Sequence, residues 1–178
     1  MSVALRDGAV SVRRLSLFDG ERVLTWRRRS DVAAQLFSAL PPTRAEHYAW
    51  LCRLLVCRDR IEFLICENGR PVGTVGLSRI DRVAQEAELG ILIGEPDARG
   101  RGVATRACRI ALRFAFEVLA MTRVYLSVFS DNRLARVLYD RLGFGEEGST
   151  MRLKDGRPRH VTTMVLSRAA WSTSKPSL

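Results

Sequence analysis

The possible folds of this chain are restricted most by one segment, in which a predicted strand leads directly into a loop of glycine and arginine and then into an amphipathic helix. Residues 87–94 read AELGILIG, and residues 96–116 read PDARGRGVATRACRIALRFAF. Apolar residues at helical spacing predict a helix that starts near Gly100 to Gly102, and they are Val103, Ala107, Ile110, Ala111, Phe114 and Val118. Backbone N–H groups at a helix start lack intrahelical partners, and glycines let a ligand approach them. Together with the helix dipole, they predict an anion site suited to phosphate or pyrophosphate.

The residues of this loop separate three classes of phosphate-binding motif. A Walker loop requires G-x-x-x-x-G-K-[ST], and the chain contains no such run. A dinucleotide-binding fold requires G-x-G-x-x-G, but Thr105 stands where the third glycine would be. The remaining pattern, Arg-x-x-Gly-x-Gly/Ala, is met by Arg99, Gly102 and Ala104. An ordinary glycine-rich helix start would also satisfy this pattern when it is taken alone.

Local signals elsewhere predict alternating strands and helices. Asn68 and Gly69 stand between two apolar runs, which favours a tight hairpin. Thr43 followed by Glu46 forms a capping-box pattern at a helix start. A strand–helix–strand–helix centre, with further strands on either side, predicts an α/β or α+β fold.

The length of 178 residues predicts one domain, 1–178, and the tail 169–178 is expected to be frayed. Two histidines and four cysteines without a C-x-x-C pair argue against a metal site, and none is expected. The start of the chain lacks the pattern of a secretory signal, and no apolar run has membrane-spanning length. We therefore expect a cytoplasmic protein with free thiols and no membrane contact.

The net charge of +10 comes almost wholly from arginine, since only Lys154 and Lys175 are lysines. Arginine suits phosphate recognition, although a solvated basic surface is an equal alternative. A non-enzymatic nucleic-acid binder would need aromatic platforms or a basic recognition helix. Because aromatic residues make up only 7% of the chain and the arginines are scattered, we regard that function as remote and a nucleic-acid partner as unlikely.

The segment DNRLARVLYDRLGF (131–144), one helix and one strand after the loop, makes the chain resemble the GNAT superfamily of acyl-CoA-dependent N-acyltransferases. The resemblance runs roughly from Leu5 to Ser167. It implies an α/β (α+β) fold with a mixed, mostly antiparallel central sheet, helices on both faces and a splayed central strand pair. It also implies acetyl-CoA as co-substrate. The residues it implies for binding the coenzyme are those of the loop and the asparagine that opens the later helix: Arg99, Gly100, Arg101, Gly102, Val103, Ala104, Thr105 and Asn132.

The resemblance also implies roles at the reacting centre. Ile91 and Ile93 are expected to face the peptide-like pantetheine arm, which can pair with a free strand edge. Tyr139 matches the family tyrosine that lies near the coenzyme sulfur, and it is the expected proton donor for the departing thiolate. Glu88 is the expected general base, with Glu86 on the same face of the strand as the alternative.

The N-terminal third resembles a branch that includes nucleotide-aminosugar N-acetyltransferases, such as one of pseudaminic acid biosynthesis, and that borders ribosomal-protein N-terminal acetyltransferases. The matching residues are Trp26, Arg27, His47 and Trp50, while Arg28 departs from the asparagine common in that branch. Arg27 and Trp50 are the expected acceptor-binding residues. The leading acceptor is a nucleotide-linked aminosugar, and a protein N-terminus or a polyamine is the alternative. The expected partner is thus a small-molecule amine, and the chain would be a monomer or a homodimer.

Overall fold

The computed structural model describes residues 5–38 and 40–173. Eight strands form one sheet in the order β1-β2-β3-β4-β5-β6-β8-β7. The strands are β1 (Leu5–Asp7), β2 (Val10–Arg14), β3 (Ile61–Glu67), β4 (Arg70–Asp81), β5 (Glu86–Ile93), β6 (Arg123–Phe129), β7 (Gly145–Lys154) and β8 (Arg157–Ser167). The helices are α1 (Gly20–Arg28), α2 (Ser30–Ala33), α3 (Arg44–Val56), α4 (Val103–Arg113), α5 (Arg133–Arg141) and α6 (Arg168–Thr173).

One central pair of strands breaks the antiparallel pattern of the sheet. β5 and β6 are parallel, and they pair only where Glu86–Glu88 meets Arg123–Tyr125. The remainder of β5 continues to pair with β4 on its other side. The two central strands therefore separate beyond Glu88, which confirms the predicted splayed pair in a mixed, mostly antiparallel sheet.

Helices cover both faces of the sheet. The larger core packs α4 against one face, through residues that include Val75 and Leu89. On the other face, Leu51 and Leu54 of α3 pack with Trp26 of α1. Successive side chains along β3 to β5 alternate between the two faces of the sheet, so one face packs against α4 and the other against α1 and α3.

The local signals for turns and caps are confirmed. Asn68 and Gly69 join β3 to β4 and both have positive φ, 50° and 83°. At the start of α3, the Thr43 side chain accepts a hydrogen bond from the backbone N–H of Glu46, whose carboxylate accepts one from the Thr43 N–H at 2.8 Å. The prediction that Val118 lies on the buried face of α4 is wrong. Val118 is 63% exposed, because α4 continues into a wider π-helical turn over Phe114–Val118. The extra residue in that turn rotates Val118 away from the buried face.

The prediction of a frayed tail from residue 169 is wrong for residues 169–173. Arg168–Thr173 form α6, in which the Trp171 ring is buried 5.9 Å from the Phe116 ring. The Arg168 guanidinium also donates to the carbonyl of Met121 at 2.7 Å. Burial of a large indole anchors the helix to the core. Residues 174–178 lie outside the described part.

Within residues 5–38 and 40–173, no helix is long and apolar enough to cross a membrane. Nor do those residues contain a group of three or more histidine, cysteine, aspartate or glutamate side chains close enough to hold a metal ion. All four cysteines are free thiols.

Candidate active site

A cleft of about 520 Å³ opens where β5 and β6 diverge. Its walls come from α1, α2, α3, β3, β4, β5, β6 and α5. Its lining includes the phenol of Tyr139, the amide of Asn132 and the carboxylates of Asp31, Glu62 and Glu88. The sheet thereby brings a phenol and carboxylates from distant parts of the sequence to one cavity.

The loop before α4 has the backbone geometry that an anion cradle requires. Gly100 and Gly102 have φ of 72° and 78°, a region that side chains disfavour, and a Cβ at either position would meet no heavy atom within 4 Å. Gly102 is the N-cap of α4, whose first turn contains Ala104 and Thr105, both half-buried. Val103 points its side chain into the core, so only its N–H group could serve a ligand. The open backbone here fits a pyrophosphate group.

The two arginines of the loop are already engaged. The Arg99 guanidinium pairs with Asp31 of α2 at 2.6 Å and donates to the Ile93 carbonyl at 3.0 Å. This contact holds the pKa of Asp31 down at about 2. Arg101 lies 3.3 Å from Glu67. The glycine backbone is therefore the freer part of the predicted pyrophosphate site, and Arg99 also ties the loop to the helix that borders the cleft.

Ile91 and Ile93 are half-buried and line the cleft on the part of β5 that has left β6. The glycine after them has a packing role. A Cβ on Gly94 would lie 2.0 Å from the Trp26 ring, and the indole N–H of Trp26 donates to Glu95 at 2.9 Å. Trp26, one of the residues matched in sequence, thus fixes the end of β5 against α1.

Tyr139 is buried with only 6% of its surface exposed, and it lines the cleft. Burial raises the pKa of its phenol above the usual range, and Cys108 adds to the shift. The hydroxyl therefore keeps its proton at neutral pH, as a proton donor must. Asn132 also lines the cleft, and its side-chain oxygen caps α5 by accepting from the Ala135 N–H at 3.2 Å.

The two candidate bases on β5 are separated by the structure. Glu86 pairs with Arg123 at 2.6 Å, where β5 still pairs with β6. Glu88 lines the cleft, opposite Ser78 of β4, and lies 3.5 Å from the Arg79 guanidinium. Of the two, only Glu88 is among the residues that line the cleft.

Glu62 is a site residue that the sequence reasoning missed. It lies on β3, within the apolar run IEFLICE, and its side chain lines the cleft. Burial raises the pKa of its carboxyl to about 7, while Thr74, Arg60 and Arg27 act in the opposite direction. A glutamate in the middle of an apolar strand is the signal that could have identified it, because burying a charge is costly unless it has a function or a partner.

The predicted acceptor residues lie together in one part of the cleft, the acceptor end, where Arg60 and Glu62 also lie near Arg27. The Arg27 guanidinium is 5.0 Å from the centre of the Trp50 ring, a cation–π contact, and both residues are half-buried cleft residues. His47 is instead fully buried, with its Nε2 atom 2.9 Å from the Gly20 carbonyl. Burial lowers the pKa of His47, and its contact with Gly20 joins α3 to α1.

The separation of β5 from β6, the open backbone at the start of α4 and the buried phenol in the cleft together fit a transferase whose donor carries phosphate. The model of the acetyltransferase (GNAT) domain family matches residues 10–145. The chain therefore belongs to this family, whose enzymes take acetyl-CoA as donor.

Two sequence relatives differ in what their names say they acetylate. The spermidine N(1)-acetyltransferase of Escherichia coli strain K12 is 38% identical over 89 residues, which is 50% of this chain and 47% of that protein. The chain thus matches about half the length of that curated relative. The Bacillus subtilis protein named "Putative ribosomal N-acetyltransferase YdaF" is 31% identical over 147 residues, 78% of this chain and 79% of YdaF.

The fold is similar to that of the Vibrio cholerae spermidine N-acetyltransferase solved with CoA and spermine. The TM-score is 0.87 at 22% identity, with 93% of this chain and 99% of that chain covered. At that identity the likeness supports the fold, and the acceptor has to be argued from this chain's own residues.

Proposed function

We propose that this protein is an acetyl-CoA-dependent N-acetyltransferase that acts on a primary amine. The observation that carries the proposal is that one cleft is lined both by Tyr139 and by the carboxylates of Glu62 and Glu88. Acyl transfer to an amine needs a proton acceptor for the ammonium and a proton donor for the leaving thiolate, and these two groups must act on one reacting centre.

Acetyl-CoA supplies the acetyl group as a thioester. The open backbone at Gly100 and Gly102 would hold its pyrophosphate, and the unpaired part of β5 at Ile91 and Ile93 would bind its arm through main-chain hydrogen bonds. The Tyr139 hydroxyl would keep its proton until the carbon–sulfur bond breaks, and would then donate it to the thiolate. A carboxylate of the cleft, Glu88 in the sequence-based assignment, would take the proton of the amine.

For the acceptor we favour an amine that also carries phosphate, and the expected example remains a nucleotide-linked aminosugar. Arg27 and Arg60 both line the acceptor end of the cleft, and neither forms an ion pair with a carboxylate within hydrogen-bonding distance among residues 5–38 and 40–173. An arginine can clamp a phosphate with two parallel hydrogen bonds, and the Trp50 ring could stack on a nucleobase. An acceptor with both signs of charge would suit guanidinium groups beside carboxylates.

A polyamine is the second candidate, because the chain resembles spermidine N-acetyltransferases. Against it, two guanidinium groups at the acceptor end would repel a polycation. A protein N-terminus, suggested by the similarity to YdaF, has one ammonium group and would gain less from Arg27. We place the activity in the cytoplasm, where the four free thiols would persist. A monomer or homodimer stays a prediction.

A substrate panel tests the proposal. Purified protein is given acetyl-CoA with UDP-linked aminosugars, N-terminal peptides or spermidine, while free CoA thiol and acetylated product are measured. We expect the highest kcat/KM with an aminosugar nucleotide, and inhibition by free UDP. Preference for spermidine or for a peptide, without inhibition by millimolar UDP, would replace the aminosugar. No acetylated product from any amine would overturn the activity itself.

A further inference from the structure

Three residues on adjacent strands form a row across the sheet beneath the acceptor end of the cleft. Glu62 of β3 is directly opposite Gly76 of β4, and Gly76 is directly opposite Gly90 of β5. Directly opposed residues share a face of the sheet, so the row lies on the face that carries α1 and α3. Glu62 and Gly90 both line the cleft.

The two glycines leave this row without side chains between Glu62 and β5. A Cβ on Gly76 would lie 2.3 Å from the Oε2 atom of Glu62, so the carboxylate itself occupies the space above Gly76. A Cβ on Gly90 would meet no heavy atom within 4 Å, so the space above Gly90 is open. Neighbouring strands are about 4.8 Å apart, so an amine nitrogen in the open space above Gly90 would lie beside the carboxylate above Gly76.

We propose that Glu62 is the group that binds the acceptor ammonium and accepts its proton, and that Gly76 and Gly90 form the floor of the amine's path. This inference rests on the proposed acetyltransferase function, and it replaces Glu88 as the base with a residue of another strand. It does not depend on which amine is the acceptor.

The transfer of the acetyl group involves two protons of the ammonium, one new bond and one broken bond. One proton of the ammonium passes to the Glu62 carboxylate, and the free amine nitrogen forms a bond to the thioester carbonyl carbon. The carbon–sulfur bond then breaks. The nitrogen loses its second proton, and the sulfur gains one from the Tyr139 hydroxyl, which is restored by that second proton. The products are the amide and the free thiol, and the proton held by Glu62 returns to solvent.

The charges that face Glu62 suit this role better than those around Glu88. Arg27 of α1 and Arg60, which precedes β3, approach Glu62 without forming an ion pair at hydrogen-bonding distance, and Thr74 of β4 lies beside it. Its raised pKa, about 7, is near the optimum for a base at neutral pH. Glu88, also on this face, lies 3.5 Å from the Arg79 guanidinium, and this contact leaves it the lesser role of helping to position the ammonium.

Glu62→Gln is the direct test, with Glu88→Gln as the matched variant on β5. In the wild type, kcat/KM should rise with pH through a limb near 7. We expect Glu62→Gln to lose that limb and about 10²–10⁴-fold in kcat, the range for a lost general base. Glu88→Gln should keep the limb, whatever its loss in rate. Glu62→Asp keeps a carboxylate one methylene further back and should recover part of the rate.

Two measurements separate a local effect from misfolding. Calorimetry should give Glu62→Gln the acetyl-CoA affinity of the wild type. Carboxyl carbon NMR should show a signal that titrates near pH 7 in the wild type and in Glu88→Gln but not in Glu62→Gln. If Glu62→Gln fails to bind acetyl-CoA, the kinetic constants of Gly90→Ala provide the test instead. This variant should have a higher acceptor KM or a lower kcat than the wild type, at an unchanged melting temperature. Gly148→Ala, on β7 outside the cleft lining, also places its Cβ in open space and should change none of these values.

The outcomes are distinguishable. A wild type that acetylates no amine overturns the proposed function and this inference with it. A wild type that is active, with a Glu62→Gln variant that stays within threefold or keeps its pH limb, overturns the role of Glu62 alone. An active Gly90→Ala with unchanged kinetic constants would show that the amine does not approach over Gly90.

Discussion

Replacing Gly102 with glutamate should abolish most of the acetyl-CoA affinity while the fold survives. Gly102 has φ of 78°, and a Cβ there would project into open space next to the first turn of α4. The positive φ costs roughly 1–2 kcal/mol of stability for any other residue. A carboxylate about 5 Å from one phosphate charge adds repulsion of about 1–3 kcal/mol for effective dielectric constants of 80 to 20. This amounts to a loss of about 5- to 150-fold in affinity per phosphate charge.

Isothermal calorimetry with acetyl-CoA measures this loss, and two variants divide it into its causes. Gly102→Ala introduces only the backbone strain and the Cβ, and Gly102→Gln adds the bulk of glutamate without its charge. We expect affinity to fall in the order Ala, Gln, Glu. The gap between Gln and Glu should narrow in high salt, because screening weakens the repulsion.

The refuting result is specific. If Gly102→Glu binds acetyl-CoA with the affinity of the wild type, and its melting temperature shows that it is folded, the pyrophosphate does not sit on this helix start. If Gln and Glu reduce affinity equally at low salt, bulk rather than charge is responsible, and the electrostatic part of the argument is wrong.

Three further predictions follow from the cleft and its walls. Tyr139→Phe should lower kcat by about 10²–10⁴-fold with little change in calorimetric acetyl-CoA affinity, because the ring remains; a loss below threefold would mean that another group protonates the thiolate. Arg27→Ala should raise KM for a phosphate-bearing acceptor but not for acetyl-CoA, and should reduce the salt dependence of acceptor KM; a KM that stays constant would remove Arg27 from the acceptor site. Gly94→Ala should destabilise the protein by about 1–3 kcal/mol in thermal or urea unfolding, because its Cβ would lie 2.0 Å from the Trp26 ring. Stability equal to that of the wild type would show that the indole repacks freely.

The sequence by itself determined the features that depend on neighbours in the chain. The Thr43 and Glu46 cap and the Asn68-Gly69 turn form between residues at most three apart, so the sequence alone predicts both. The glycine loop at the start of α4 could be predicted for the same reason. The fold class followed from these signals and from the family resemblance, since the arrangement of strands recurs with the loop.

Only the tertiary structure decided which distant residues share the cleft. Glu62 and Gly90 are 28 positions apart in sequence and meet through the register of three strands, which no local pattern records. Asp31 and Arg99 are 68 apart and join α2 to the loop. Side-chain periodicity indicates that a strand has two faces. It does not indicate which residues of neighbouring strands lie opposite each other, and therefore which glycines leave room for a carboxylate. That depends on register, which is set when the sheet assembles and buries one face.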